Sequence, residues 1–198
     1  MTRGDASMRP LAELPLFLAT WQGLTERGSG GEGLQSALER LFGYPAPAAL
    51  WETDLLPARL EPYFPAWLDG LVEASELVWF GTGRERIAYA FRPDLDLFQS
   101  PPSEADWTGL DPTARTVHDL LMQSPRGCEV GEIAERTGLP LSGVTEALWS
   151  LAWRGVVTCS SLRVLRQAMQ NGFRVEVPGQ EAPAGTAAGG RTSRRGLF

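Results

Sequence analysis

The feature that most constrains this chain is a change of hydrophobic period at Leu77. Before it, apolar residues recur at helical spacing. From Leu77 to Phe80, and again from Ile87 to Phe91, they form short β-branched and aromatic runs on either side of Gly-Thr-Gly-Arg-Glu-Arg. Two such runs around a glycine-bearing connection are a hairpin signal. The segments upstream read as helices. Residues 11–24 are apolar, with Pro15 in the first turn. A Gly/Ser patch at 28–33 breaks the pattern. Leu34, Ala37, Leu38, Leu41 and Phe42 then resume it until Gly43. A short helix over about 48–54 stops before Pro57, and Pro65 opens another whose buried stripe is Trp67, Leu68, Leu71 and Val72. Helices followed by a hairpin give the order of a winged helix.

A second unit follows. Asp111-Pro112 sets an N-cap and a first helical position, and Ala114, Val117, Leu120 and Leu121 form the apolar face behind it. Residues 129–136 and 141–153 are two further helices, separated by Thr-Gly-Leu-Pro and closed by Gly155, which is helix-turn-helix spacing. Residues 156–159 read as a strand and 162–169 as a last short helix. The expected fold is mainly α with small β wings, in tandem winged-helix modules. Its divisions are a disordered start (1–10), a first module with a leading helix (11–92), a linker (93–109), a second module (110–170) and a flexible basic tail (171–198).

Charge and composition narrow the function. A 43% hydrophobic content suffices for a packed core, no apolar run reaches the roughly 18–20 residues of a membrane span, and residues 1–10 lack a secretory signal, so a cytoplasmic protein without membrane contact is expected. Two cysteines and one histidine fall short of the four ligands of a structural zinc site, so no metal is expected. All 18 basic residues are arginine, and the net charge is −6. From Arg163 onward, six arginines and two glutamates give +4, which leaves −10 on the rest, an acidic body with a basic arm.

The candidate chemistry is sparse. Gly81-Thr82-Gly83 lacks the lysine of a phosphate loop and reads as a hairpin turn, so no ATP hydrolysis is expected. His118 has no partnered nucleophile in the sequence and reads as structural; the aspartates 54, 69, 94, 96 and 111 read as solvated loop and cap groups. Alternation points Arg84 and Arg86 the same way at the hairpin tip, either as a grip for a phosphate backbone or as an ordinary solvated turn. On the helix over 141–153, Ser142, Thr145, Glu146 and Trp149, with Arg154 just past its end, are candidates for an outer, DNA-reading side. Trp149 and Trp153 share a face and suit a core or an interface better than base stacking. Arg191, Arg194 and Arg195 on the tail can bind DNA without specificity.

Four stretches carry a resemblance: LPLFLATWQGL, then LWETDLLPARLEPYFPAWLDGLVEASELVWFGTG, then EALWSLAWRGVVTCSSLRVLR, and GRTSRRGLF, where Thr192 stands in place of an expected tryptophan. They resemble the C-terminal region of bacterial Lhr (large helicase-related) proteins, superfamily 2 DNA helicases. The resemblance implies a DNA-handling module linked to DNA repair, partnered by DNA and by a RecA-like motor. ATP and magnesium would serve that motor, so no cofactor is expected for this chain. The region is also similar to tandem winged-helix DNA glycosylases, which place a glutamine motif near the start of the fold. Gln22 occupies a comparable place, in a Trp-Gln-Gly context rather than Q-x-Q. The expected function is thus a DNA-binding accessory module without an ATPase motor; a glycosylase-like enzyme and a docking module for a split helicase are the alternatives.

Overall fold

The computed structural model describes residues 10–98, 109–124, 127–159 and 161–173. A 3-10 turn leads into α1 (Leu14–Trp21); α2 (Gly30–Glu39) follows, then β1 (Ala46–Pro47) and α3 (Ala48–Leu50), which runs on as a π-type turn over Trp51–Leu55. Next come α4 (Pro65–Ala74), β2 (Leu77–Gly83), β3 (Arg86–Phe91) and α5 (Leu95–Phe98). The second unit holds α6 (Pro112–Met122), α7 (Val130–Thr137), α8 (Leu141–Trp153) and α9 (Leu162–Gln170). Among the described residues the molecule is mainly α, with one antiparallel sheet in the order β1-β3-β2.

The hairpin forms where the period changes. Leu77 pairs with Phe91 and Trp79 with Tyr89, and the register slips between Gly81 and Gly83, so the turn bulges. One face of the sheet closes the main core, in which Trp51 and Tyr89 meet edge to face at 4.8 Å and the Trp51 indole donates to the Ile87 carbonyl. The other face packs Phe80, Ala88 and Ala90 under Leu95 of α5. Asp111 caps α6 by accepting from the Thr113 amide, and Gly138 and Gly155 end α7 and α8 in the left-handed conformation.

The second unit sits on the first through α8 and α9. Val144, Ala147 and Leu151 belong to the core of α6–α8, whereas Ala152, Leu162 and Leu165 belong to the main core with Trp51 and Trp79. Gly81 is where α8 meets β2: a Cβ there would overlap the Ala152 carbonyl oxygen and come within 2.8 Å of Trp153 Cα. Glycine therefore permits the close approach.

Three expectations change. The break between the first two helices falls earlier than the glycine patch, because α1 ends at Trp21 and α2 starts at Gly30, inside the patch. Residues 156–159 are not a strand. The Val156 amide is used in capping α8, donating to Leu151, and Thr158 holds the edge of β2 by a side-chain hydrogen bond to the Trp79 carbonyl rather than by a ladder. Residues 171–173, expected at the head of a flexible tail, form a turn whose Phe173 ring packs on Trp149 and Trp153. The start up to residue 9, most of the expected linker and the tail beyond 173 lie outside the described residues.

Candidate nucleic-acid interface

The hairpin turn and α8 enclose a groove of about 460 Å³. Gly83, Arg84 and Glu85 form one wall; Glu146, Trp149, Ser150, Trp153 and Arg154 form the other, and Phe173 closes it. Its aromatic part is a ladder. Trp149 and Trp153, four residues apart, stack at 5.1 Å, Trp79 lies 6.3 Å behind Trp149, and Phe173 meets both outer tryptophans edge-on at 5.1 and 4.9 Å. The Arg84 side chain is 88% exposed, and its Nε stands 3.6 Å from Glu85. The two guanidiniums suit phosphate contacts, while the indole faces of Trp149 are taken up by Trp79 and Trp153. Glu85 and Glu146 balance the two arginines, so the groove is not a broad cationic surface.

The sequence candidates scatter around this groove. Arg84 and Arg154 come together in it. Arg86 does not follow Arg84, because Glu85 takes a left-handed conformation (φ 57°) and breaks the alternation that would have aligned them; its guanidinium donates to the Pro45 carbonyl at 2.7 Å, beside β1. Thr145 gives its hydroxyl to the Leu141 carbonyl and lines a separate pocket of about 520 Å³ with Trp79, Cys128, Cys159 and Thr158. Trp149 borders both spaces. Arg191, Arg194 and Arg195 lie outside the described residues. His118 meets its neighbour Asp119 at 3.2 Å, and among the described residues no three ligating side chains gather for a metal.

Gln22 is held at the end of α1. Arg59, only 6% exposed, donates to the Gln22 backbone carbonyl (2.9 Å), to its side-chain oxygen (3.1 Å) and to the Leu55 carbonyl (2.9 Å). Burial lowers the pKa of this guanidinium, Tyr44 opposes that, and Arg40 adds to it. Gln22 thus anchors α1, on a different part of the molecule from the groove.

Sequence reasoning also missed a charged cluster around Arg166 of α9. Its guanidinium donates to Glu52 (2.7 Å) and to both oxygens of Asp69 (2.8 and 2.9 Å), and Tyr63 donates to the second Glu52 oxygen at 3.0 Å. Burial works to lower the Arg166 pKa, but hydrogen bonds and charge from Glu52 and Asp69 outweigh it and raise it. The cluster fastens α9 to the first module across 97 and 114 residues of chain. No local spacing signals such a contact.

The comparisons with known proteins agree with this architecture. The family model for the winged-helix domain of large helicase-related proteins matches residues 10–92, from α1 through the hairpin. The Lhr helicase/uracil glycosylase of Escherichia coli K12 is 28% identical over 168 residues, covering 79% of this chain and 11% of that protein. The Lhr helicase/probable uracil glycosylase of Mycolicibacterium smegmatis is 28% identical over 172 residues, covering 82% of this chain and 11% of that protein. The chain therefore spans about a tenth of the length of the curated relatives it matches. With the family model for the winged-helix domain matching residues 10–92 and similarity continuing through most of the rest, the chain is similar to the C-terminal region of Lhr-type helicases.

Proposed function

We propose that this chain is a DNA-binding accessory module in DNA repair, partnered by the motor of an Lhr-type helicase and lacking an ATPase motor of its own. The observation that carries the reading is the groove in which Arg84 of the wing and Arg154 after α8 flank the Trp149–Trp153 pair. The balance of arginines and carboxylates in it suits weak contact that supports a stronger engine, rather than tight autonomous binding. The helicase names of relatives in which a matching segment makes up 11% of the length support the partner. The test is fluorescence anisotropy with labelled forked DNA, on the full chain and on a chain ending at Phe173. Equal binding by both, weakened by salt, places the contact on the body; binding by the full chain alone places it on the arm and overturns the groove.

A second reading, base excision, is supported by the uracil glycosylase names of the relatives and by the 520 Å³ pocket behind α8. Trp79 lines that pocket, and its buried indole N–H has no hydrogen-bond partner in the structure. Abasic-site formation on uracil-containing DNA at high enzyme excess tests it; intact substrate after long incubation ends it.

A further inference from the structure

Two guanidiniums meet at the turn that ends α1, and neither has a counter-charge. Arg59 is buried and gives three N–H groups to neutral acceptors, the two Gln22 oxygens and the Leu55 carbonyl. A guanidinium carries five N–H donors, so two are left over. Arg40 lies across Gly23, the next residue, where a Cβ would overlap its Nη1. The Arg40 charge reaches Arg59 and adds to the lowering of that group's pKa. Among the described residues neither arginine forms an ion pair, whereas Arg27, Arg84, Arg136 and Arg166 all do. A buried charge is normally paired.

The two arginines share a pocket of about 280 Å³ with Ser29 and Ser36, whose hydroxyls make no hydrogen bond among the described residues. We propose that this pocket is a site for a small phosphate-class dianion, inorganic phosphate or the terminal phosphate of a nucleotide chain, held between the Arg40 and Arg59 guanidiniums. Three observations select this ligand. Two guanidiniums without a counter-charge match two negative charges, and their forked N–H donors match phosphate oxygens. The pocket falls below the roughly 300–1,000 Å³ of a site for a drug-sized molecule, which suits a phosphate group alone. Glu26 and Glu32 also line it without pairing to either arginine, and their charge turns away a phosphodiester strand passing through. The pocket shares no residue with the groove between wing and α8, so it stands whether or not that groove binds DNA.

Isothermal titration of the full chain with inorganic phosphate, at constant ionic strength set by chloride, tests this. The expected result is one saturable site. Arg40→Gln removes an exposed guanidinium that pairs with no other group and weakens binding by about tenfold or more. Ser36→Glu puts a carboxylate one helical turn from Arg40, supplies the counter-charge from within the chain and closes the site to phosphate, with the circular dichroism unchanged. Arg84→Ala with Arg154→Ala leaves the phosphate affinity as it was, which separates this site from the groove. A short single strand with and without a 5′-phosphate identifies the source. A preference for the phosphorylated strand that Arg40→Gln abolishes assigns the end of a strand; saturable inorganic phosphate without that preference assigns the free anion. Absence of saturable phosphate binding overturns the proposal, and so does binding indifferent to both Arg40→Gln and Ser36→Glu.

Discussion

Helices α1 and α8 are both rich in apolar residues, and the molecule treats them in opposite ways. Helix α8 is shared between two cores: Val144, Ala147 and Leu151 face α6 and α7, while Ala152 and the half-buried Trp149 and Trp153 face the sheet. Helix α1 faces none. A helix that is apolar around most of its circumference needs neighbours on more than one side. For α8 those neighbours lie within this chain. For α1 the described residues supply none. Similar composition therefore marks a central strut in one place and an exposed helix in the other, and position in the fold decides which.

The largest expected effect breaks the α8 side of this contrast. Gly81→Val forces β2 away from the Ala152 carbonyl and should cost about 3 kcal/mol or more, read as a lowered denaturation midpoint in urea. Arg166→Met comes next. It strands the half-buried Glu52 and Asp69 carboxylates and should cost roughly 2 kcal/mol in the same experiment. If Arg166→Met proves neutral, α9 is not fastened to the first module by charge.

Alkali sharpens the same side. Burial, first, and the neighbouring Glu52 carboxylate raise the pKa values of both Tyr63 and Tyr89 well above the ordinary phenol value. Raised folded values mean that the stability they contribute is complete below the unfolded pKa of about 10 and is lost as pH rises beyond it, at up to roughly 1.4 kcal/mol per pH unit for each tyrosine. Tyr63→Phe should remove about half of that slope. The smallest effect belongs to α1: Phe17→Ser should change the stability of the monomer by less than about 0.5 kcal/mol, because no core loses an atom. A cost like that of Gly81→Val would show that α1 is packed after all and erase the contrast.

Much of the fold was legible because its signals are local. The period change at Leu77, the Asp111-Pro112 start of α6 and the glycines that close α7 and α8 each act within a few residues. The site was less so. The pairing of Arg84 with Arg154 depends on how α8 seats against β2, which turns on Gly81, a residue that reads in sequence as part of a turn. Arg86 looked equivalent to Arg84 until the left-handed Glu85 separated them. Thr145 is bound into a hydrogen bond within its own helix and Gln22 into one with Arg59, 37 residues away, and sequence spacing distinguishes neither from exposure. The exposure of α1 was equally hidden, since an apolar helix in sequence reads as core.

The groove between wing and α8 is the centre of this account, and the salt dependence of DNA affinity tests it most directly. Forked DNA would be titrated at a series of salt concentrations with the full chain and with an Arg84→Ala, Arg154→Ala variant. If both guanidiniums meet phosphates, the slope of log affinity against log salt should fall by about 2, with weaker binding at low salt. An unchanged slope and affinity in the double variant would contradict the account and place DNA contact elsewhere on the chain.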